Sequence, residues 1–194
     1  MALDQAMRQH QERQDAVLDF WLREVGPEKW YAQDAALDAA IAERFGAAMG
    51  AAREGRCLEW TLTPRGALAL IVLLDQFPRN AFRGEAGAFS GDVRARSVAK
   101  RAIRLDQDLR IAEPERQFFY MPLMHAECLA DQDRCVRMIL TRMPETGADA
   151  NLPHAVAHRD IIRRFGRFPF RNAALARRDT PEEAAWLAEG GYRA

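Results

Sequence analysis

The sequence predicts an all-α fold, and three observations support that prediction. Glycine and proline recur at short intervals along the 194 residues, and the segments between them repeat apolar side chains with helical period. Several segments begin with a hydroxyl or carboxylate side chain followed by proline or acidic residues, as helices commonly do. No linker or break in composition divides the chain. We therefore expect residues 1–194 to form one domain of seven to eight helices, in antiparallel pairs joined by short loops.

The first two helices are predicted from their apolar stripes and from the residues that bound them. Residues 3–24 repeat apolar side chains on one face, and Gly26-Pro27 ends that pattern. Asp34 is placed to cap the second helix with its carboxylate. Gly55 is placed to end the second helix, because glycine readily adopts the left-handed conformation that closes a helix.

The third helix is predicted to lie at the centre of the fold. Thr63-Pro64 is a strong start signal, since a hydroxyl cap is followed by proline at the first helical position. The following sequence, GALALIVLLDQ, is apolar nearly all round, which is typical of a fully buried helix. Its β-branched pair, Ile71-Val72, leaves a buried strand as the alternative. The helix is expected to end at Phe77-Pro78, because a residue before proline avoids helical geometry.

Five further helices are predicted in the remainder of the chain. Their boundaries are indicated by Ser90 to Leu105, by Glu113-Pro114-Glu115, by Asp131 or Asp133, by Asn151-Leu152-Pro153 to about Phe165, and by Thr180-Pro181 to Gly190-Gly191. Pro122 falls inside the fifth helix of the chain and is expected to kink it. Thr180 and Glu183 have the spacing of a capping box, which is the clearest start signal in the sequence.

Composition excludes several classes of protein. Basic and acidic residues number 28 each, so no global field would draw the chain to nucleic acid or to an anionic membrane. The three scattered cysteines form neither a disulfide framework nor a zinc ribbon. The N-terminal stretch lacks the apolar segment of a signal peptide, and the longest apolar run, Ala67 to Leu74, is far too short to span a membrane. We expect a soluble cytoplasmic protein that binds neither nucleic acid nor membrane.

Two similar turns are the most distinctive feature of the sequence. Residues 77–81 read Phe-Pro-Arg-Asn-Ala, and residues 168–173 repeat them with one inserted phenylalanine. One interpretation is mechanical: proline ends a helix, arginine bonds its last carbonyl groups, and asparagine tolerates a left-handed conformation. The other is functional: Arg79 and Arg171 direct two guanidinium groups, which suit carboxylate or phosphate, into one cleft.

Histidines and carboxylates near these turns are candidates for acid–base chemistry. His125 follows Pro122, and His154 and His158 share one face of a helix because they are four residues apart. The HExxH pattern of the zincin metalloproteases needs glutamate where Ala155 stands, so the zincin class is excluded. We predict no metal and no cofactor. The alternative is a two-histidine metal site completed by a carboxylate from elsewhere in the chain, for which the candidates are Asp75, Glu127, Asp131 and Asp160. The alternative for each histidine is a buried residue that is hydrogen-bonded to a neighbour.

Several of these blocks together resemble a known family. The blocks are similar to an uncharacterised bacterial family catalogued as domain of unknown function 924. They read LALIVLLDQFPRNAFRG, FFYMPLMHAE, HRDIIRRFGRFPFRN and DTPEE. The resemblance implies an all-α, tetratricopeptide-like fold and no established activity. The family's motif positions correspond here to Asp75, Gln76, Arg79, Asn80, His125, Glu127, Asp131, Gln132, His158, Gly166, Arg167, Arg171 and Asn172. This chain departs from the family pattern at Phe170, where histidine is common, and at Ala176, where glycine is common.

Three functions remain open at this point. The first is a polar pocket that binds a small anionic ligand, a carboxylate or a phosphate, or the carboxylate of a peptide or protein partner. The candidate binding residues are Asp75, Gln76, Arg79, Asn80, His125, Glu127, His158, Arg167, Arg171 and Asn172. The second is a hydrolase or transferase in which His125 or His158 pairs with a carboxylate as acid and base. The third is a structural protein–protein interaction module, in which the same residues satisfy one another. The sequence predicts no oligomeric state.

Overall fold

The structure is a computed structural model that describes residues 2–192, without the side chains of residues 2–4, 6 and 148. Its α-helices are α1 (Ala2–Asp19), α2 (Ala35–Arg53), α3 (Pro64–Ile71), α4 (Phe77–Ala81), α5 (Asp92–Arg104), α6 (Met121–Met124), α7 (Leu129–Arg142), α8 (Gly147–Ala150), α9 (Leu152–Phe165) and α10 (Pro181–Ala188). Short 3-10 helices connect several of them. Within residues 2–192 there is no β-strand, so the all-α prediction is confirmed and the strand alternative at Ile71-Val72 is wrong.

Helix α3 does not end at Phe77-Pro78 as the sequence predicts. It continues as a π-helical segment, Val72–Gln76, and then as α4. The N–H of Phe77 bonds the carbonyl of Val72, five residues back, and Pro78 lies in the first turn of α4, where its missing N–H is tolerated. The wider π turn thus carries the chain past the proline.

The prediction of a continuous fifth helix is wrong. The chain forms a 3-10 helix, Glu115–Phe119, then the four-residue α6, and turns at His125. Pro122 stands in the first turn of α6, which fits its fixed backbone angle, so it begins a helix rather than kinks one. The next helix, α7, begins at Leu129, and the predicted capping residues Asp131 and Asp133 lie inside it.

The core is built around α3, as predicted. All residues from Ala67 to Leu74 are at most 1% exposed, and aromatic rings of Phe20, Phe45 and Phe77 pack against one another beside them. Burying such side chains is the main source of stability in a fold of this size. None of the described helices is both long and apolar enough to cross a bilayer.

A second, smaller apolar cluster supports the C-terminal part of the chain. Ile161, Ile162 and Phe168 are its buried members. Phe170, Trp186 and Tyr192 are among the half-buried side chains that pack against them. The second Phe-Pro-Phe-Arg-Asn turn therefore rests on α9 and α10, whereas the first turn rests on the main core.

Candidate functional site

The two Phe-Pro turns bring their arginines to the same carboxylate. Arg79 Nη2 lies 3.0 Å from Asp92 Oδ1, and Arg171 Nη1 lies 3.3 Å from Asp92 Oδ2. The functional interpretation of the turns requires Arg79 and Arg171 to lie close together, and both lie within 3.3 Å of Asp92. We call Asp75, Arg79, Asp92, His125, His158 and Arg171 the arginine–histidine cluster.

A close backbone contact holds Asp92 in place. Asp92 is the first residue of α5, and Gly91 before it packs directly on the π-helical segment. A β-carbon at residue 91 would stand 2.1 Å from the carbonyl oxygen of Leu74, closer than any carbon–oxygen contact allows. Only glycine lets the start of α5 come so near, and this approach places Asp92 beside Arg79.

Asp75 is the buried centre of the cluster. Its side chain is 0% exposed and lies 3.1 Å from Arg79 Nη1 and 2.9 Å from His125 Nδ1. Gln76 Nε2 donates a third hydrogen bond at 2.6 Å. Burial alone would raise the pKa of Asp75, but Arg79 and His125 outweigh burial and hold the pKa well below its usual range. Asp75 is therefore an ionised acceptor at neutral pH.

Arg79 also carries the mechanical role that the sequence suggests. Its Nη1 donates to the backbone carbonyl of Asp75 at 2.6 Å. The mechanical interpretation expects the asparagines to adopt the left-handed backbone conformation. Asn80 and Asn172 do not, because both have right-handed helical backbone angles. The left-handed residue of the second turn is Ala176, at φ 53°. Glycine would hold that conformation without strain, so the backbone here suits the glycine that is common in the family that the sequence resembles, and nothing in the structure explains the alanine.

Two histidines face each other across the cluster. The ring centroids of His125 and His158 are 6.3 Å apart. His158 is 4% exposed and donates from Nδ1 to the carbonyl of His154 at 2.8 Å. Burial lowers the pKa of His158 to about 3, and burial together with the charge of Arg79 lowers the pKa of His125 despite Asp75. Both imidazoles are neutral at neutral pH.

Arg171 is the most enclosed cation of the cluster. Its side chain is 7% exposed, and the guanidinium carbon lies 4.6 Å from the ring centre of Phe89 and 4.5 Å from that of Phe168. Burial lowers its pKa to about 10, so it stays charged at neutral pH. Its Nε is buried and has no hydrogen-bond partner among residues 2–192.

Four predicted binding residues lie outside the cluster and hold the turns in place. Asn80 donates to Asp38 at 2.9 Å. Arg167 and Asn172 both contact Glu183 of α10, and Glu127 accepts the backbone N–H of Phe168 at 2.8 Å. The other six candidates, Asp75, Gln76, Arg79, His125, His158 and Arg171, are in the cluster or hydrogen-bonded to it.

Several residues that shape the site have no distinctive signal in the sequence. Asp92, Phe89 and Tyr192 contact cluster residues, yet none belongs to a block that the sequence marks. Tyr192 packs edge-to-face against His158 with ring centres 4.9 Å apart, and it also lines a cavity of about 250 Å³ between the second turn and α10. An acidic residue in the first turn of a helix is common, so Asp92 had only a capping signal.

Comparison with known proteins places the chain in a family. The solved structure of a protein of unknown function from Agrobacterium tumefaciens is similar, with 43% sequence identity and a TM-score of 0.84. The match covers 91% of this chain and 97% of the other. Among curated proteins, no sequence matches. The family described as bacterial protein of unknown function, DUF924, matches residues 17–191, and the chain belongs to that family.

Proposed function

We propose that the arginine–histidine cluster binds a small anionic ligand, a carboxylate or a phosphate. The single observation that carries the proposal is the state of Arg171. Its guanidinium is almost fully buried, yet its Nε has no partner among the described residues and Nη1 makes one long contact with Asp92. A buried charged donor without an acceptor is costly, so the site favours an added acceptor.

The arrangement of charges supports the same proposal. Arg79 and Arg171 share Asp92, and Asp75 is already engaged by Arg79, His125 and Gln76. The donors of two guanidinium groups therefore exceed the acceptors offered to them. A carboxylate or phosphate has two or more oxygens in a geometry that suits guanidinium, and the buried setting strengthens each contact.

A pair of matched arginine variants tests the proposal. Arg171→Gln removes the enclosed cation, whereas Arg163→Gln removes an arginine whose side chain is 50% exposed on α9. Isothermal titration with propionate and with inorganic phosphate is the measurement. We expect Arg171→Gln to weaken binding about tenfold or more, as the loss of a charge-assisted hydrogen bond does, and Arg163→Gln to leave binding unchanged. Equal affinities in both variants would refute the site.

A second candidate function is acid–base catalysis by the Asp75–His125 pair. The observation that favours it is the hydrogen bond from His125 Nδ1 to a buried, ionised carboxylate, which orients the ring and leaves Nε2 as a base. The pair suits a hydrolase or transferase acting on an anionic ester. His125→Gln would then abolish turnover of such an ester while anion binding persists. Loss of folding in His125→Gln and Arg171→Gln alike would favour the structural alternative.

A further inference from the structure

The tautomers of the two facing histidines are fixed by their hydrogen bonds. Asp75 is ionised and can only accept, so His125 Nδ1 carries the proton that bridges them at 2.9 Å. The carbonyl of His154 can only accept as well, so His158 Nδ1 is also protonated. Each neutral ring therefore has its lone pair on Nε2. No residue within 2–192 donates a hydrogen bond to either Nε2.

One of these acceptors, on His158, shares an aromatic neighbour with the enclosed donor Arg171. The ring of Phe168 is 5.4 Å from the ring of His158 and 4.5 Å from the guanidinium carbon of Arg171. His125 is 6.3 Å from His158, measured between ring centres. Arg171 thus supplies donors and the two imidazoles supply acceptors, and Phe168 packs against both Arg171 and His158.

The formal charges of the cluster limit what can bind there. Arg79 and Arg171 are balanced by Asp75 and Asp92, and both imidazoles are neutral because burial lowers their pKa. A dianion would bring two uncompensated charges close to two lone pairs. A single carboxylate adds only one charge. A proton donor on the same molecule could bond the Nε2 lone pairs of His125 and His158, which would otherwise repel the anion.

We propose that the ligand is a small carboxylate with a hydroxyl or ammonium group on the neighbouring carbon. The carboxylate accepts from Arg171, and the neighbouring O–H or N–H donates to Nε2 of His158 or His125. This inference rests on the proposed anion site and adds to it the chemical class of the ligand. The hydroxyl and the ammonium are two sources of the same proton-donating chemistry.

Three probes with one carbon skeleton separate these possibilities. Propionate has only the carboxylate, lactate adds a hydroxyl, and alanine adds an ammonium group. In titration calorimetry we expect lactate or alanine to bind about tenfold more tightly than propionate, which corresponds to one added hydrogen bond. The probe that gains affinity identifies the source of the donor.

Variants of the two imidazoles test the geometry behind this preference. His158→Phe keeps an aromatic ring against Phe168 and Tyr192 but removes both nitrogens, and His125→Gln keeps a donor for Asp75. We expect each variant to reduce the preference over propionate, and the double variant to remove it. Full retention of the preference in all three variants would overturn the inference.

The remaining outcomes separate this inference from the proposed function. If the three probes bind equally and Arg171→Gln weakens all of them, the anion site stands and the ligand class is wrong. If none of the three probes nor inorganic phosphate binds, both proposals are wrong.

Discussion

At the scale of single residues, His158 shows how burial converts a titratable side chain into a fixed, neutral one. Its folded-state pKa is about 3, against about 6.5 for an unperturbed histidine. The unfolded chain therefore binds a proton at His158 as pH falls below 6.5, while the folded chain does not. As the pH falls from 6.5 to 3, His158 therefore lowers the free energy of unfolding. Above pH 6.5 it leaves that free energy unaffected.

His158→Phe is expected to relieve part of this acid sensitivity. Between pH 7 and pH 5, a pKa shift of this size costs wild type roughly 2 kcal/mol of unfolding free energy, and the variant escapes that loss. Urea unfolding at the two pH values measures the difference. Because the pKa of His125 is lowered as well, some acid sensitivity should remain in the variant. An identical loss in both proteins would contradict the burial of a neutral His158.

The sequence marks the polar side chains of the cluster better than it marks their surroundings. Arg79, Arg171, His125 and His158 stand out because such side chains recur in short, distinctive blocks. Asp92 does not stand out, because its role comes from the contact of Gly91 with Leu74, which lies far from it in sequence. A residue type can be read directly, whereas the partner of a buried charge depends on tertiary packing.

At the scale of elements, the junction between α5 and the π-helical segment depends on one glycine. Gly91 has an ordinary φ of −95°, so its importance is steric and not conformational. We expect Gly91→Ala to destabilise the protein by roughly 1–3 kcal/mol, the usual cost of overpacking. The control is Gly46→Ala in α2, where an added β-carbon meets nothing within 4 Å.

The control glycine should respond in the opposite direction. Alanine is the better helix former, so Gly46→Ala is expected to stabilise α2 by about 0.5–1 kcal/mol. Urea denaturation measures both values. The shift of the unfolding midpoint gives the change in stability, provided that the slope of the unfolding free energy against urea concentration is unchanged. If Gly91→Ala were neutral or stabilising, the close approach of α5 would not be needed for the site.

The start of α10 offers a second test at this scale. Glu183 is 2% exposed, closes the capping box with Thr180, and pairs with Arg167 at 2.6 and 2.7 Å. Removing a buried acceptor leaves these donors without a partner, so Glu183→Ala should cost about 2–3 kcal/mol of unfolding free energy.

Its neighbour provides the matched control for this prediction. Glu182 is 61% exposed and pairs with Arg164 at the surface, where ion pairs contribute little. We expect Glu182→Ala to change stability by less than about 0.5 kcal/mol in the same denaturation experiment. Similar effects of the two substitutions would show that α10 is not held by Glu183.

Element boundaries are predictable where a capping side chain decides them, and the predictions are wrong where a proline is expected to end or kink a helix. The cap of α2 at Asp34, the cap of α3 at Thr63 and the capping box of α10 follow from their own side chains and are confirmed. Pro78 and Pro122 misled the prediction. A proline is compatible with the first turn of a helix, and whether a helix resumes there depends on tertiary contacts that the sequence does not display.

At the scale of the whole molecule, the fold brings together two turns that are about ninety residues apart in sequence. The first turn is carried by the central helix and its π-helical extension, and the second by α9 and a separate small core. Apolar periodicity predicted the all-α class and the buried α3. It did not predict which face of α5 would lie between the turns, because amphipathic patterns define faces and not partners.

We propose that the arginine–histidine cluster admits an external anion and is not a self-satisfied ion-pair network. Asp92→Asn is the most direct test, because Asp92 is the internal acceptor shared by Arg79 and Arg171. Calorimetric titration of wild type and Asp92→Asn with propionate is the measurement. We expect the variant to bind propionate several-fold more tightly, because two guanidinium groups lose their competing carboxylate. Absence of binding in both proteins, with a loss of several kcal/mol of stability in the variant, would contradict it.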